Sequence, residues 1–345
     1  MTLIDALAED GGSSIAALTA LYTTVLRRMP AAWRFLYSSW DRLPGMESFR
    51  LSWMTRRFRH TEEALLRLNP DIILTTHPLA TAIASRMKSR GLRSRLVAVF
   101  GDWHFQRFWC FPQVDQYLVS APRQREGLIG IGVDPGRVTL SGMLVAPAYR
   151  ARVPAAEARA LLDLPPDRPV VLVTGGGRGW GLEALLRAIV QLPRPICTVV
   201  LCSSTERRSR LERLLARTGG GAADIRLLAF VPDPAPYFHA ADLIVNKAGG
   251  ISNAQAFACG TPVLAASPEP GHEEANLAEL TRHGVVLVPR AGEDLTAAID
   301  RFLDEPAALA EAAARGRLLV SIDTESIALA VLAGTAPIEQ SLKTR

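Results

Sequence analysis

Short, continuous apolar segments that alternate with helical segments are the feature that most limits the possible folds of this chain. They occur through most of its 345 residues. Strands that are apolar without interruption are typical of parallel sheets covered by helices on both faces. The predicted strands are Ile72–Thr75, Leu96–Phe100, Gln116–Val119 and Arg137–Leu140 in the first half, and Pro169–Val173, Thr198–Leu201, Ile225–Leu228, Leu243–Val245 and Pro262–Leu264 in the second.

These two series of strands predict two Rossmann-like domains of the α/β class. The length agrees, because a domain commonly contains about 100–200 residues. We assign residues 1–148 to the first domain, residues 155–320 to the second, and residues 321–345 to a C-terminal helix and tail. The segment from Leu144 to Pro154, which contains two prolines, is the predicted linker.

The composition is that of a globular protein, with 48% hydrophobic and 21% charged residues. No apolar run is long enough for a transmembrane helix, and the segment Met1–Asp5 lacks the basic residues of a secretory signal. Four cysteines without C-x-x-C spacing predict reduced thiols in the cytosol and no zinc site. The net charge of +5 favours anionic partners.

The segment from Leu26 to Arg59 combines positive charge with aromatic side chains. Eight arginines are opposed only by Asp41 and Glu47. Such a pattern is typical of a helix that lies in a lipid interface. The predicted membrane contacts are Trp33, Arg34 and Trp40. The alternative is a helical hairpin whose aromatic side chains face the core, and we expect no nucleic acid partner because no binding motif accompanies the charge.

Three loops in the second half each follow a predicted strand and precede a predicted helix. Gly175–Gly181 is glycine-rich without being a Walker loop or a G-x-G-x-x-G motif. Asn246–Ala256 contains two more glycines and a serine, and Pro268–Asn276 is dense in hydrogen-bonding groups. Glycines at a helix N-terminus favour phosphate, and open α/β sheets bind ligands at the carboxyl ends of their strands. The alternative for the two glycine clusters is a plain strand–helix turn.

The second and third loops resemble the nucleotide-sugar site of GT-B glycosyltransferases. The stretch from Lys247-Ala-Gly-Gly-Ile-Ser to Pro270-Gly-His-Glu-Glu-Ala-Asn276 is most similar to the monogalactosyldiacylglycerol synthase group and the bacterial processive diacylglycerol glucosyltransferases, relatives of the peptidoglycan GlcNAc transferase. Further similar pieces are Asn69–Pro78, Gly101-Asp102 with Trp109, Gly132–Gly142 and Phe230–Asp242. The resemblance implies a GT-B fold, with two Rossmann-like domains facing a central cleft.

The resemblance also implies roles for individual residues. The second domain would bind the UDP-sugar, and the first would carry a diacylglycerol-type lipid acceptor and rest on an anionic membrane surface. The implied donor-site residues are Gly176, Gly177, Gly249, Gly250 and Ser252 for the phosphates, Val231 for uracil, Gln255 for the ribose, and His272, Glu273 and Asn276 for hydroxyl groups of the sugar or ribose.

The chain departs from the family pattern in several places. The family begins with a strand and a glycine-rich loop ending in His, whereas this chain opens on Thr2–Ala6, which we predict to be the family's second strand. Lack of the first strand would expose edges in the centre of the sheet. Gln255 replaces a Glu, which removes a charge-assisted bond to the ribose. His272 replaces a Gln in the hexose contact, and Gln106 stands where relatives often have His.

An inverting transfer needs a base for the acceptor hydroxyl and stabilisation of the leaving UDP. We assign the base to Asp102, with His104 as the second candidate. The alternatives are a helix cap for Asp102 and a buried structural histidine for His104, and we expect His77 to make a structural hydrogen bond. The Asp and His residues lack metal-ligand spacing, so we expect no metal and no cofactor besides the UDP-sugar donor.

We therefore expect a cytoplasmic, peripheral enzyme on the inner face of the membrane. It would move galactose or glucose from a UDP-hexose to a diacylglycerol-type lipid. The alternative is a catalytically silent nucleotide- or lipid-binding relative, which the lack of the His loop and the presence of Gln255 suggest.

Overall fold

The structure is a computed structural model that describes residues 2–10, 20, 23–26, 28–40, 58–177, 179, 181–218 and 224–334. The chain forms two compact units. The first comprises Met1–Met143 together with Asp323–Arg345, and the second comprises Leu144–Ile322. The second unit thus begins inside the predicted linker. The predicted tail beyond residue 334 lies outside the described residues.

The first unit contains a four-stranded parallel sheet whose strands are adjacent in chain order. The strands are β1 (Ile72–Thr75), β2 (Arg95–Val99), β3 (Gln116–Val119) and β4 (Val138–Leu140). In the register, Ile73 lies opposite Leu96, and Val99 lies opposite Leu118. Each strand agrees with its prediction to within one residue. Strands β2 and β3 are buried almost throughout, as expected of strands covered on both faces, whereas Ile72 and Leu74 of β1 are exposed.

Helices of the first unit precede these strands or lie between them. They are α1 (Ala6–Glu9), α2 (Pro30–Trp40), α3 (Arg59–Leu68), α4 (Pro78–Ser89) and α5 (Pro122–Gly130), with 3-10 turns at Arg107–Trp109 and Pro135–Arg137. Of these helices, α4 and α5 pack on the sheet. Residues 23–26 are also helical. Proline opens α4 and α5 at a position where no backbone N–H is needed. The core includes Leu96, Phe100 and Tyr117, all at most 1% exposed.

The segment Thr2–Ala6 is not the strand that we predicted. Helix α1 begins at Ala6, and the carboxylate of Asp5 caps it by accepting hydrogen bonds from the N–H groups of Leu7, at 3.0 Å, and Ala8, at 3.2 Å. An aspartate at this position accepts hydrogen bonds from backbone N–H groups that have no partner within the first turn of the helix. Local capping therefore outweighs the short apolar pattern that suggested a strand.

The second unit contains a five-stranded parallel sheet with the order β7-β6-β5-β8-β9. The strands are β5 (Val170–Thr174), β6 (Cys197–Leu201), β7 (Asp224–Leu228), β8 (Leu243–Asn246) and β9 (Val263–Ala265). They also agree with the predictions to within one residue. The chain builds outward from β5 on one side and returns to continue from β8 on the other, which is the doubly wound arrangement.

Nine helices of the described segments belong to the second unit. They are α6 (Pro147–Arg150), α7 (Ala155–Leu161), α8 (Leu182–Val190), α9 (Thr205–Thr218), α10 (Ala235–Ala240), α11 (Gly250–Cys259), α12 (His272–Arg282), α13 (Leu295–Leu303) and α14 (Pro306–Leu319). Tyr149 of α6 packs edge-on against Phe238 with the ring centroids 5.3 Å apart. The last described helix, α15 (Thr324–Leu332), groups with the first unit.

Candidate functional site

The carboxyl ends of β5 and β8 lie side by side at the point where the strand order of the second sheet reverses. Thr174 at the end of β5 is opposite Asn246 at the end of β8, while the other neighbour of β5 is β6. The loops that follow these two strands therefore emerge together. In open α/β sheets this switch point is where ligands bind.

The loop after β5 makes close backbone approaches that need glycine. A Cβ on Gly175 would lie 2.6 Å from the Leu182 Cγ, so no larger residue fits there. Gly176 has a φ of +61°, in the left-handed region. Gly177 is exposed, with open space where a Cβ would be. A tight turn that leads into α8 with an exposed glycine is suited to a phosphate at the helix N-terminus.

The turn after β8 is strained and held by two buried asparagines. Ala248 is fully buried and has a φ of +64°, which costs a residue with a Cβ about 1–2 kcal/mol. The Asn246 Oδ1 accepts a hydrogen bond from the Ala248 N–H at 2.8 Å, and the Asn246 Nδ2 donates to the Asn253 Oδ1 at 2.7 Å. Strain of this kind is found at functional sites. Here the hydrogen bonds set the path of Gly249 and Gly250 into α11.

A buried ion cluster lies beside this turn. The Lys247 Nζ is 2.6 Å from the Glu273 Oε1 and 3.3 Å from the Glu269 Oε2. The three residues are at most 7% exposed. The Glu273 Oε2 accepts a hydrogen bond from the Glu269 N–H at 2.8 Å. Burial raises the pKa of the Glu273 carboxyl, and the Lys247 charge opposes that shift. The Lys247 charge therefore lies against two buried carboxylates and lowers the free-energy cost of burying them.

Lys247 also contacts the loop after β5. A Cβ on Gly176 would lie 3.0 Å from the Lys247 Cε, so the lysine stem passes directly over this glycine. Ser203, which follows β6, donates from its Oγ to the Gly176 carbonyl at 3.0 Å. On the other side, a Cβ on Gly249 would lie 3.9 Å from the Glu273 Oε1. The structure thus brings together the predicted residues Gly176, Gly249 and Glu273.

The first turn of α12 adds polar side chains to this cluster. The His272 Nε2 is 3.7 Å from the Glu273 Oε1, and His272 is half-buried. Asn276, one turn further along, is fully buried. Glu269, His272 and Glu273 are close enough to share a cation. The Lys247 ammonium already lies at both carboxylates, so the chain itself supplies a positive charge there.

The other four residues predicted to bind the sugar donor lie in or after the secondary-structure elements of the second unit. Gly250 begins α11 and is buried, and Ser252 and Gln255 are half-buried in the first two turns of that helix. Val231 is half-buried and follows β7. All four follow strands at the carboxyl edge of the sheet. Their individual contacts with a nucleotide-sugar stay predictions.

In the first unit, the loop after β2 carries the two predicted base candidates. Asp102 and His104 are partly exposed, and Trp103 between them is 1% exposed. The buried indole anchors the loop and leaves its two neighbours accessible. Asp102 is not the cap of the next helical turn, because Gln106 takes that position. His104 is not fully buried either.

Gln124 of α5 fixes the backbone of this loop. It is fully buried, and its Nε2 donates to the carbonyls of Asp102, at 2.6 Å, and His104, at 3.0 Å. Its Oε1 accepts from the N–H groups of Ser120, at 2.7 Å, and Ala121, at 3.1 Å. One amide thus uses both of its ends to hold the loop against the start of α5.

His104 forms a hydrogen bond with a side chain of the aromatic and basic helix α2. The Tyr37 Oη lies 2.7 Å from the His104 Nε2. Arg34 and Phe35 of this helix are exposed, the latter by 74%, while Trp33 is half-buried. The Trp40 side chain, and most of the segment that follows it up to Phe58, lie outside the described residues.

Sequence reasoning found the loops of the site but missed several residues that organise them. Lys247 stands in the motif that carried the resemblance, yet nothing in the sequence indicated that its partner is Glu273. Gln124 had a partial signal, because proline is common at the first position of a helix and glutamine at the third. Tyr37 had no local signal. The predicted structural role of His77 is confirmed, because its Nδ1 accepts the Leu79 N–H at 3.2 Å and caps α4.

Two family models match the chain, one in each half. Residues 1–145 match the model described as "Monogalactosyldiacylglycerol (MGDG) synthase", and residues 156–319 match "Glycosyl transferases group 1". Among curated proteins, the chain is 24% identical over 279 residues to the processive diacylglycerol beta-glucosyltransferase of Bacillus pumilus, covering 79% of this chain and 70% of the relative. The enzyme of the same name from Bacillus subtilis is 24% identical over 276 residues, with the same shares covered.

Solved structures share the fold. Anabaena HepE in complex with UDP-glucose has a TM-score of 0.56 and 16% identity, covering 79% of this chain and 80% of that protein. Acinetobacter baumannii MurG has a TM-score of 0.56 and 15% identity, covering 82% and 80%. These likenesses confirm the predicted two-domain α/β fold of the GT-B type. No described helix is both long and apolar enough to cross a membrane.

Proposed function

We propose that this chain, whose two halves match the models "Monogalactosyldiacylglycerol (MGDG) synthase" and "Glycosyl transferases group 1", transfers a hexose from a UDP-sugar to a diacylglycerol-type lipid at a membrane surface. The observation that carries the proposal is that Lys247 contacts both Glu273 and Gly176 at the switch point of the second sheet. It supplies a glycine turn for phosphates beside a buried carboxylate for hydroxyl groups.

The donor side of the reaction belongs to the second unit. Helices α8 and α11 both begin at this edge of the sheet, and their N-termini favour the negative charge of a diphosphate. Glu273 can accept hydrogen bonds from sugar or ribose hydroxyls, and His272 lies next to it. A UDP-sugar has these chemical groups in one molecule. HepE, which shares the fold, was solved with UDP-glucose.

The acceptor side belongs to the first unit. The two curated relatives are named for transfer to diacylglycerol, a lipid that stays in the bilayer, so the enzyme must work at its surface. Helix α2 exposes Arg34 and Phe35. A cation and an aromatic ring side by side are suited to lipid phosphates and to the headgroup level of a membrane.

The proposed reaction inverts the anomeric carbon. The acceptor oxygen attacks C1 of the hexose, the bond from C1 to the phosphate oxygen breaks, and UDP leaves with that electron pair. The proton of the acceptor hydroxyl passes to Asp102 or His104 as base, and the two helix N-termini stabilise the charge on UDP. The relatives are named beta-glucosyltransferases, and a β product from an α-linked donor requires inversion.

The test is transfer by the purified protein from UDP-glucose and UDP-galactose to diacylglycerol in anionic vesicles. We expect a glycolipid from at least one donor, with release of UDP and β configuration by NMR. The Lys247→Met variant is the control for a disrupted donor site. An α-linked product would contradict inversion, while saturable UDP binding without any product would favour the catalytically silent relative.

A further inference from the structure

The loop between β6 and α9 packs on the glycine-rich loop that follows β5. The Ser203 Oγ donates to the Gly176 carbonyl at 3.0 Å, and the Gly179 N–H donates to the same carbonyl at 3.0 Å. Ser203 has a φ of +65°, a left-handed backbone conformation that a residue with a Cβ rarely adopts. Backbone strain of this kind clusters at ligand-binding sites. The loop after β6 therefore belongs to the same site as the glycine turn.

Arg207, in the first turn of α9, lies directly against this glycine turn. A Cβ on Gly179 would lie 2.6 Å from the Arg207 Cδ and 3.0 Å from the Arg207 Nε. The Arg207 Nη1 donates to the Cys202 carbonyl at 3.4 Å, and Arg207 is half-buried. Because Cys202 directly follows β6, this bond holds the guanidinium at the carboxyl edge of the sheet. A cation thus stands beside the turn to which we assign the phosphates.

The charge of Arg207 is not balanced by a carboxylate of the described segments. The nearby Arg208 and Arg210 each form an ion pair with a glutamate of the second unit, at 2.7 and 2.5 Å. Arg207 forms no such pair with any residue that the structure describes. Glu206 precedes it in the chain, but adjacent side chains of a helix do not face each other. Of these three arginines, Arg207 is therefore the one whose charge is suited to an anionic ligand.

We propose that Arg207 binds the diphosphate of the UDP-hexose, an inference that rests on the proposed function. A guanidinium presents its N–H groups as a planar fork that fits two phosphate oxygens. It also brings a full positive charge, whereas the N-termini of α8 and α11 bring about half a charge each. Negative charge grows on the terminal phosphate of UDP as the C1–O bond breaks, so a fixed cation there stabilises the leaving group as well as the bound donor.

The assignment could not come from the sequence alone. Helix α9 contains five arginines within 14 residues, and their spacing does not single out any of them. The glycine at position 179 gives the reason for choosing Arg207, because a larger residue there would collide with the arginine stem.

The experiment measures the affinities of UDP and uridine for Arg207→Gln and for a matched control, Arg208→Gln. Uridine has the base and the ribose of UDP but no phosphate. We expect Arg207→Gln to weaken UDP binding about tenfold or more, because it loses hydrogen bonds from a charged group, and to leave uridine binding unchanged. Arg208→Gln should change neither, since the Arg208 guanidinium is already paired with Glu212 on the surface. Arg207→Lys should retain part of the UDP affinity, because it keeps the charge and loses the fork.

Two further readouts separate phosphate binding from a role in the shape of the loop. Salt should weaken UDP binding more steeply in the wild type than in Arg207→Gln, because one charge–charge interaction is missing in the variant. Unchanged UDP affinity in Arg207→Gln, equal weakening of UDP and uridine, or equal salt dependence would each overturn the proposal. Lack of saturable UDP binding by the wild type would instead reject the donor site itself, and with it both the proposed function and this inference.

Discussion

The Nζ atom of Lys247 lies 2.6 Å from the Oε1 atom of Glu273, and both side chains are buried. Lys247 directly follows β8, and Glu273 lies in the first turn of α12. The Lys247 side chain also lies next to Gly176, and the Glu273 side chain lies next to Gly249. This ion pair thus connects the two loops to which we assign the phosphates and the hydroxyl groups of the proposed donor.

Replacing Lys247 by Met should destabilise the second unit. Removing one partner of a buried ion pair leaves uncompensated charge and commonly costs about 3–5 kcal/mol. Chemical denaturation should show this loss in the Lys247→Met variant. The double variant that adds Glu273→Gln should recover much of it, because only one of the two side chains that faced Lys247 is then a carboxylate. Equal stabilities of the single and double variants would contradict this account.

The loss in Lys247→Met should depend on pH. Burial raises the pKa of the Glu273 carboxyl, and the Lys247 charge opposes that rise, so its removal raises the pKa further. An acid with a higher pKa in the folded than in the unfolded state loses folded-state stability as pH increases between the two values. The variant should therefore gain stability relative to wild type as the pH falls towards the ordinary range of a glutamate, measured by thermal unfolding. A gain towards high pH would contradict the assigned cause.

Glu273→Gln should weaken binding of UDP-hexose more than binding of UDP if the carboxylate holds the hexose. Hydrogen bonds to charged groups contribute about 1.5–3 kcal/mol, which is roughly 10–100-fold in affinity. Titration calorimetry with both ligands gives the difference. Glu274→Gln is the matched control, because Glu274 caps the helix through the Gly271 N–H and a glutamine can do the same. Equal weakening for both ligands would assign Glu273 to the ribose instead.

Gly176→Ala should lower both stability and UDP affinity. The left-handed backbone costs an alanine about 1–2 kcal/mol, and the new Cβ would meet the Lys247 Cε at 3.0 Å. Gly177→Ala is the control for stability, because no atom lies within 4 Å of a Cβ there. The two variants should therefore differ in melting temperature. Indistinguishable unfolding curves would show that the turn can relax.

Gln124→Ala should destabilise the first unit and impair transfer. It leaves two buried N–H groups without the acceptor that Gln124 provides, at a cost of about 1–3 kcal/mol each. Gln116→Ala is the matched control, because its buried amide donates a hydrogen bond to the Thr139 hydroxyl, whereas Gln124 bonds four backbone groups. We expect a clearly larger loss in denaturation midpoint for Gln124→Ala. Similar losses for both would mean that water replaces the missing amide.

Arg34→Glu and Phe35→Ser should each reduce binding to anionic vesicles without changing UDP affinity. An arginine near an anionic surface contributes about 1 kcal/mol, roughly fivefold in binding, and reversing its charge should cost more. Vesicle sedimentation at low and high salt measures this. Arg208→Glu, on an exposed helix of the second unit, is the charge control. Vesicle binding that is unaffected by both changes in α2 would reject the membrane contact.

Much of the fold could be predicted because strands buried on both faces leave a continuous apolar trace in the sequence. The trace is complete in β5, whose five residues are all buried, and weakest in β7, which contains Asp224 and Arg226. The prediction at Thr2–Ala6 was wrong because the Asp5 carboxylate caps a helix there, a local hydrogen bond that competes with a short apolar pattern. The loops of the donor site could be predicted because their glycines directly follow strands.

The sequence by itself determined the strands and the positions of the glycine turns, since each depends on neighbouring residues. The strand order, and with it the switch point between β5 and β8, was decided by the tertiary structure. Only the tertiary structure decided which side chains meet. Lys247 and Glu273 are 26 positions apart, and Tyr37 and His104 are 67 apart. Contacts of this kind form because helices and loops pack onto a completed sheet, and a charge or a hydroxyl leaves no mark in the sequence of the partner that it will contact.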